Sequence, residues 1–143
     1  MTDILLPDPS GISRAAALLQ QGALVALPTE TVYGLGADAR NGTAVAGIYT
    51  AKGRPSFNPL IIHVADVDQA RQYGRWSDTA EVLASAFWPG PMTLVLPLAD
   101  GHGLSSLVTA GLDSIAIRIP AHPTARAILR AFGGPVAAPS ANP

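Results

Sequence analysis

The side chains able to do chemistry fall in four stretches of this sequence. The first is Pro28-Thr29-Glu30-Thr31-Val32-Tyr33-Gly34-Leu35-Gly36, which directly follows a short apolar run and sets two hydroxyls, a carboxylate and a phenol at its exit. Exits of buried strands are common ligand sites in open α/β sheets. A turn in which Thr29 and Thr31 satisfy backbone groups and Tyr33 packs accounts for the pattern equally well. Gly34 and Gly36 permit close approach of backbone to a ligand. The sequence contains neither GxGxxG nor GxxxxGK[ST], so a dinucleotide fingerprint and a P-loop are both absent.

The second stretch, Lys52-Gly53-Arg54-Pro55-Ser56-Phe57-Asn58-Pro59, holds two cations one residue apart in a proline-stiffened loop. Lysine supplies a point charge and arginine a planar fork, a pair suited to a polyphosphate or to a carboxylate beside a phosphate. Cations at a helix C-terminus are the competing account. His63 lies in the next apolar run, where a satisfied core histidine is the commoner occupant. The third stretch places Arg118 among Ile115, Ala116, Ile117 and Ile119. Buried there, an arginine must meet a carboxylate from the protein or from a ligand; on an edge strand it would face water. The fourth, Pro139-Ser140-Ala141-Asn142-Pro143, follows another short apolar run and reads by itself as an ordinary turn.

These stretches need a frame to bring them together. Ser10 is the expected cap of a first helix with Ile12, Ala15, Ala16, Leu18 and Leu19 on one face, ended near Gly22. Residues 23–27 form a wholly apolar strand ended by Pro28, and residues 43–51 a second helix. Residues 60–64 are a further buried strand. Asp66 and Ser77 cap two more helices, the second turning Val82, Leu83, Ala86 and Phe87 to the core before Trp88-Pro89-Gly90-Pro91 breaks it. Residues 92–98 and 114–119 are strands, Pro123 opens a helix over residues 124–132, and residues 135–138 form a last strand. Helices and strands alternate without strict βαβ order, which predicts an α/β fold with a mixed sheet and not a Rossmann fold.

At 143 residues and 48% apolar content the chain suits one domain, residues 1–143, and no apolar run reaches the length of a membrane span. Asp3 and Asp8 replace the basic start of a secretory signal, so a cytoplasmic location is expected. Without cysteine there is no disulfide, thiolate metal site or cysteine nucleophile. A net charge of -1 gives no broad basic surface for duplex phosphates, although a small anionic ligand stays compatible. Among nine basic residues Lys52 is the lone lysine, which marks its loop out.

Taken together, PTETVYGLGADA from Pro28, KGRPSFNPL from Lys52, FWPGPMTLVL from Phe87, IAIRIPAHP from Ile115 and APSAN from Ala138 resemble the YrdC family of threonylcarbamoyl-AMP synthases. The resemblance runs from Ser10 onward, with the blocks in the family's order. It implies a twisted mixed sheet flanked by helices, with a concave, positively charged cleft for ATP and L-threonine. On that resemblance Lys52, Arg54, Ser140 and Asn142 form the family's nucleotide quartet, with Asn58 and Ser114 also on ATP. Lys52 and Arg54 would carry the catalytic charge. Thr31, His63 and Arg118 match threonine-holding positions, Arg118 partnering the substrate carboxylate and Ala138 contributing backbone. Ser114 stands where the family more often has threonine.

The reaction so implied joins L-threonine, bicarbonate or CO2, and ATP into L-threonylcarbamoyladenylate and pyrophosphate, for tRNA threonylcarbamoyladenosine modification. It needs no protein nucleophile, since positioning and cationic stabilisation at the phosphates suffice. Mg2+ would accompany ATP, with no protein metal site expected. Family members continue past SAN with a glycine- and serine-rich stretch and a closing strand and helix, so the chain is expected to lack part of the family fold and to bind ATP weakly or fold marginally. Downstream partners would be the tRNA threonylcarbamoyl transfer machinery. Two other readings are a paralogue with a different carbamoyl acceptor, as in hydrogenase maturation, and a non-catalytic module binding RNA in the positive cleft.

Overall fold

A computed structural model describes residues 4–53 and 58–141. The chain begins with α1 (Pro9–Gln20), capped by Asp8, whose carboxylate accepts from the Gly11 N–H at 2.8 Å. Ser10, the expected cap, sits inside the first turn instead. Pro9 explains the difference, because proline suits the first helical position, where it has no N–H to leave unsatisfied. The next segments are β1 (Val25–Pro28) and β2 (Tyr33–Asp38), paired antiparallel as a hairpin. The stretch expected to be a turn through Gly36 is therefore half strand. Glycine carries little strand signal, but here it is required: a Cβ at Gly36 would stand 2.7 Å from Leu27 Cδ2 and 2.9 Å from Val136 Cγ1.

Next come α2 (Gly42–Lys52), capped by Asn41 and closed by left-handed Gly53, and β3 (Ile61–His63). Asp66 and Ser77 cap α3 (Val67–Tyr73) and α4 (Asp78–Phe87), as expected. The buried face of α4 differs from expectation. Ala80 and Ala84 face the core with Leu83 partly packed, whereas Val82 is 67% and Phe87 55% exposed and Ala86 is exposed too. Small residues allow close approach of helix to sheet, so the large apolar side chains are not the ones that pack. The remaining elements are β4 (Leu94–Pro97), a short α5 (Ser106–Thr109) not anticipated from sequence, β5 (Ser114–Arg118), α6 (Pro123–Phe132) and β6 (Val136–Ala137).

The strands form one mixed sheet in the order β1-β2-β6-β3-β5-β4. Only β3 and β5 run parallel; every other neighbouring pair is antiparallel. One face carries Ile62, Leu94, Leu96, Ile115, Ile117 and Ala137, packed under Val45, Ile48, Ala70 and Ala84 of α2, α3 and α4. Fully burying such aliphatic side chains contributes about 1.5–3 kcal/mol each. On the other face α1 and α6 cover β1, β2 and β6 through Leu19, Leu27, Leu129, Phe132 and Val136.

That second cover stops short of β5 and β4. Along β5 the burial alternates, so Ser114 and Ala116 share the second face with Arg118, opposite Ile115 and Ile117. Val95, directly across from Ala116, is 67% exposed, and Ile61, its other neighbour, is 36% exposed. A strip of sheet is thus left open, flanked by helices on one side. Among the described residues no helix is long and apolar enough to cross a membrane.

Candidate functional site

The open strip ends at Arg118. Its backbone is fixed in the sheet, with the Val64 N–H donating to its carbonyl at 3.1 Å, and its side chain is held on three sides. Nε donates to the Gly90 carbonyl at 3.0 Å, Nη1 donates to Thr31 Oγ1 at 3.0 Å, and Nη2 forms an ion pair with Glu30 Oε1. Arg118 is 7% exposed, so the expectation that a buried arginine here meets a carboxylate holds, and the carboxylate is the protein's own. Guanidinium has five N–H groups, which leaves two of them, one on each Nη, without a partner among the described residues.

Glu30 escaped notice in the sequence as a specific partner, although it was one of the polar groups at the strand exit. Its second oxygen, Oε2, accepts from the Ala121 N–H at 2.7 Å. Burial opposes its ionisation, but backbone N–H groups of Glu30, Ala121 and His122 together with the Arg118 charge outweigh that and hold its pKa below the ordinary value. The turn that carries it is self-braced. Thr29 Oγ1 donates to the Val32 carbonyl at 2.6 Å, accepts from the Val32 N–H at 3.2 Å, and lies 3.0 Å from Thr31 Oγ1.

His63 stands opposite Arg118 in the β3–β5 register and is 3% exposed. Desolvation, then the neighbouring arginine charge, lower its pKa to about 4, against a hydrogen bond to backbone at Val136. The imidazole is therefore neutral near pH 7, and its buried Nδ1 has no partner among the described residues. The ring thus lines the site as an uncharged group beside a fixed cation, with that nitrogen enclosed by protein.

The last stretch of chain closes the same region. The Ala138 N–H donates to the Ile61 carbonyl at 3.1 Å, Gly34 and Ser140 form a bridge, and the Ala141 N–H donates to the Tyr33 carbonyl at 2.8 Å. The segment read as an ordinary turn in isolation is thus inserted between β2 and β3. A Cβ at Gly34 would stand 3.2 Å from Ala138 Cβ, so the glycine lets these strands meet tightly. Because β3 starts beside Ala138, Ser140 and Ser114 lie toward the same end of the sheet. Lys52 ends α2, and three residues earlier the Tyr49 hydroxyl lies 2.7 Å from the carbonyl oxygens of both Asn58 and Leu107, which share its single proton. Asn58 therefore returns to the last turn of α2 just before β3 begins.

The structure accordingly joins Thr31 and His63 to Arg118 at one end of β5, sets Ala138 beside Ile61 midway, and leads Asn58, Ser114 and Ser140 toward the other end, with Lys52 closing the neighbouring α2. Arg54 and Asn142 lie outside the described residues. No cluster of three or more metal-ligating side chains occurs among the described residues. A separate hollow of about 670 Å3 between α1, β1 and residues 5–7 is lined mainly by apolar side chains and contains none of these groups.

This fold and polar site define an α/β protein with a buried, arginine-centred polar cluster beside an open strip of sheet. A family model described as Sua5/yciO/yrdC, telomere recombination, matches residues 17–143, and the chain belongs to that family. The threonylcarbamoyl-AMP synthase of Bacillus subtilis is 53% identical over 99% of this chain, and the one from Halorhodospira halophila is 44% identical over 94%. The chain spans 41% of the length of the first relative and 70% of the second. Among solved structures, Pyrococcus abyssi Sua5 complexed with L-threonine superposes with a TM-score of 0.90 at 48% identity, over 94% of this chain and 39% of that one.

Proposed function

We propose that residues 1–143 form one domain of a threonylcarbamoyl-AMP synthase, a nucleotidyltransferase that converts L-threonine, bicarbonate or CO2, and ATP into L-threonylcarbamoyladenylate and pyrophosphate. The observation that carries this reading is the Arg118 fork, fixed between Gly90, Glu30 and Thr31 beside neutral His63 at the end of an uncovered sheet strip. The free N–H groups of Arg118 would take the threonine carboxylate. Thr31, His63 and the backbone at Ala138 would complete the amino-acid site. The L-threonine complex of the Pyrococcus abyssi relative supports L-threonine as the ligand.

In the reaction the threonine nitrogen bonds to the carbon of CO2 and loses a proton, giving a carbamate. A carbamate oxygen then attacks the α-phosphorus of ATP, and the bond to the β-phosphate oxygen breaks to release pyrophosphate. Lys52 and Arg54, with Asn58, Ser114, Ser140 and Asn142, would hold the nucleotide, and the two cations would neutralise charge on the phosphates as it shifts. The spread of the residues along one strip suits a substrate pair laid end to end. Mg2+ would travel with ATP, bound by phosphate oxygens and water.

The product is a mixed anhydride and must be consumed by a carbamoyl transfer, which we assign to the tRNA threonylcarbamoyl machinery of the cytoplasm. The net charge of -1 gives direct RNA binding little electrostatic support. The deciding experiment is threonine-dependent formation of pyrophosphate from ATP with bicarbonate present, with mass identification of the adenylate. Pyrophosphate formation independent of threonine would reject this reading.

A further inference from the structure

We infer that Glu30 is a positioning residue of this site, folding the 29–32 turn across the sheet so that Arg118 and Thr31 face the ligand as one unit. The inference rests on the reading of the Arg118 site as a threonine site. The turn connects β1 and β2, whereas Arg118 belongs to β5, three places along from β2 in the strand order. With neighbouring strands about 4.8 Å apart, the side chains meet across roughly 14 Å of sheet. Only a contact made over the open face can close that distance. Glu30 supplies two such contacts: Oε1 pairs with Arg118 Nη2 and Oε2 takes the Ala121 N–H at 2.7 Å. The Thr31 contact ends on Arg118 as well, so it depends on the same guanidinium being held still.

A carboxylate beside an arginine in a site for carboxylates invites a second account, in which Glu30 merely occupies the ligand's place and leaves when it arrives. The second oxygen argues against it. Its bond to the backbone N–H of Ala121 would not be released by a ligand at Arg118, and the side chain is only partly exposed, at 25%. Arg118 meanwhile keeps N–H groups on both Nη atoms for an incoming carboxylate, so ligand and Glu30 can be bound together.

The test compares wild type, Glu30→Ala and Glu30→Gln by two measurements, L-threonine affinity by calorimetry and the exchange rate of the Arg118 Nε–H by nitrogen-15 NMR. Wild type should show a slowly exchanging Nε–H. In Glu30→Ala the exchange should speed up markedly and threonine should bind about tenfold or more weakly, with an intermediate effect in Glu30→Gln, which keeps the shape but only one acceptor. Should Glu30→Ala fail to fold, Glu30→Gln carries the comparison. Unchanged exchange in the folded variants overturns the positioning role, whether or not affinity falls, and so does unchanged affinity. If wild type does not bind threonine while the Nε–H still becomes labile in the variants, the positioning stands and the substrate assignment fails.

Discussion

His63 and Arg118 face each other on the parallel strands β3 and β5, one side chain a neutral imidazole and the other a fixed cation, both almost wholly buried. The register places them on the same side of the sheet, where the cation adds to the burial that already disfavours a proton on the ring. Folding therefore prefers His63 uncharged.

This has a consequence for stability against pH. The folded pKa of about 4 lies below the ordinary 6.5, so the unfolded chain takes up the proton first and stability falls as pH drops from about 6.5 toward 4. The full effect is about 3 kcal/mol. Urea unfolding should show that slope between pH 6.5 and 5 in wild type and not in His63→Asn. Glu30, whose pKa is lowered, adds its own loss only at more acid pH, below the ordinary carboxylate value of 4.5.

Arg118→Ala should abolish measurable L-threonine binding, with Arg118→Lys recovering little of it, because a lysine cannot hold Gly90, Thr31 and Glu30 while also presenting a fork. Calorimetric titration with threonine reads the effect. Wild-type affinity in Arg118→Ala would move the amino-acid site elsewhere.

Lys52→Ala is expected to weaken ATP binding by about tenfold or more with an unchanged circular dichroism spectrum, since losing one charge-assisted phosphate contact is worth roughly 1.5–3 kcal/mol. Threonine affinity measured without nucleotide should stay as in wild type. An equal loss of both ligands would indicate a damaged fold and not a phosphate contact.

Ala116 lies midway along the open strip, between the exposed side chains of Val95 and Ile61. Ala116→Phe should block ligand binding while shifting the urea midpoint little, by about 0.5 kcal/mol or less. By contrast Ile117→Ala, one residue on and fully buried on the other face, should cost about 2–5 kcal/mol. A large stability loss from Ala116→Phe would mean that this strip is packed and not open.

Much of this architecture is written in local pattern. Asp66 and Ser77 cap helices because a side-chain oxygen is needed at an exposed helix start, and Ile115, Ile117 and Leu94 alternate because strands place successive side chains on opposite faces. The ordered blocks around Thr31, Lys52, Arg118 and Ser140 were enough to indicate the family. What local pattern missed has physical causes as well. Gly34 and Gly36 conceal β2, since glycine has no strand preference and its use there lies in contacts with Ala138, Leu27 and Val136 from other strands. The α4 face was misjudged because Ala80 and Ala84 outweigh the bulkier Val82 and Phe87 once the sheet demands close approach.

The sequence by itself determined which chemical groups are available, where helices start and strands alternate, and that an arginine amid isoleucines requires an anion. Only the tertiary structure decided that this anion is Glu30 from a hairpin three strands away, that His63 is neutral beside it, and that the 138–141 segment lies between β2 and β3. Strand order and the extent of helix cover are the reason. They arise from long-range packing, and no local spacing encodes which side of a sheet is left open to a ligand.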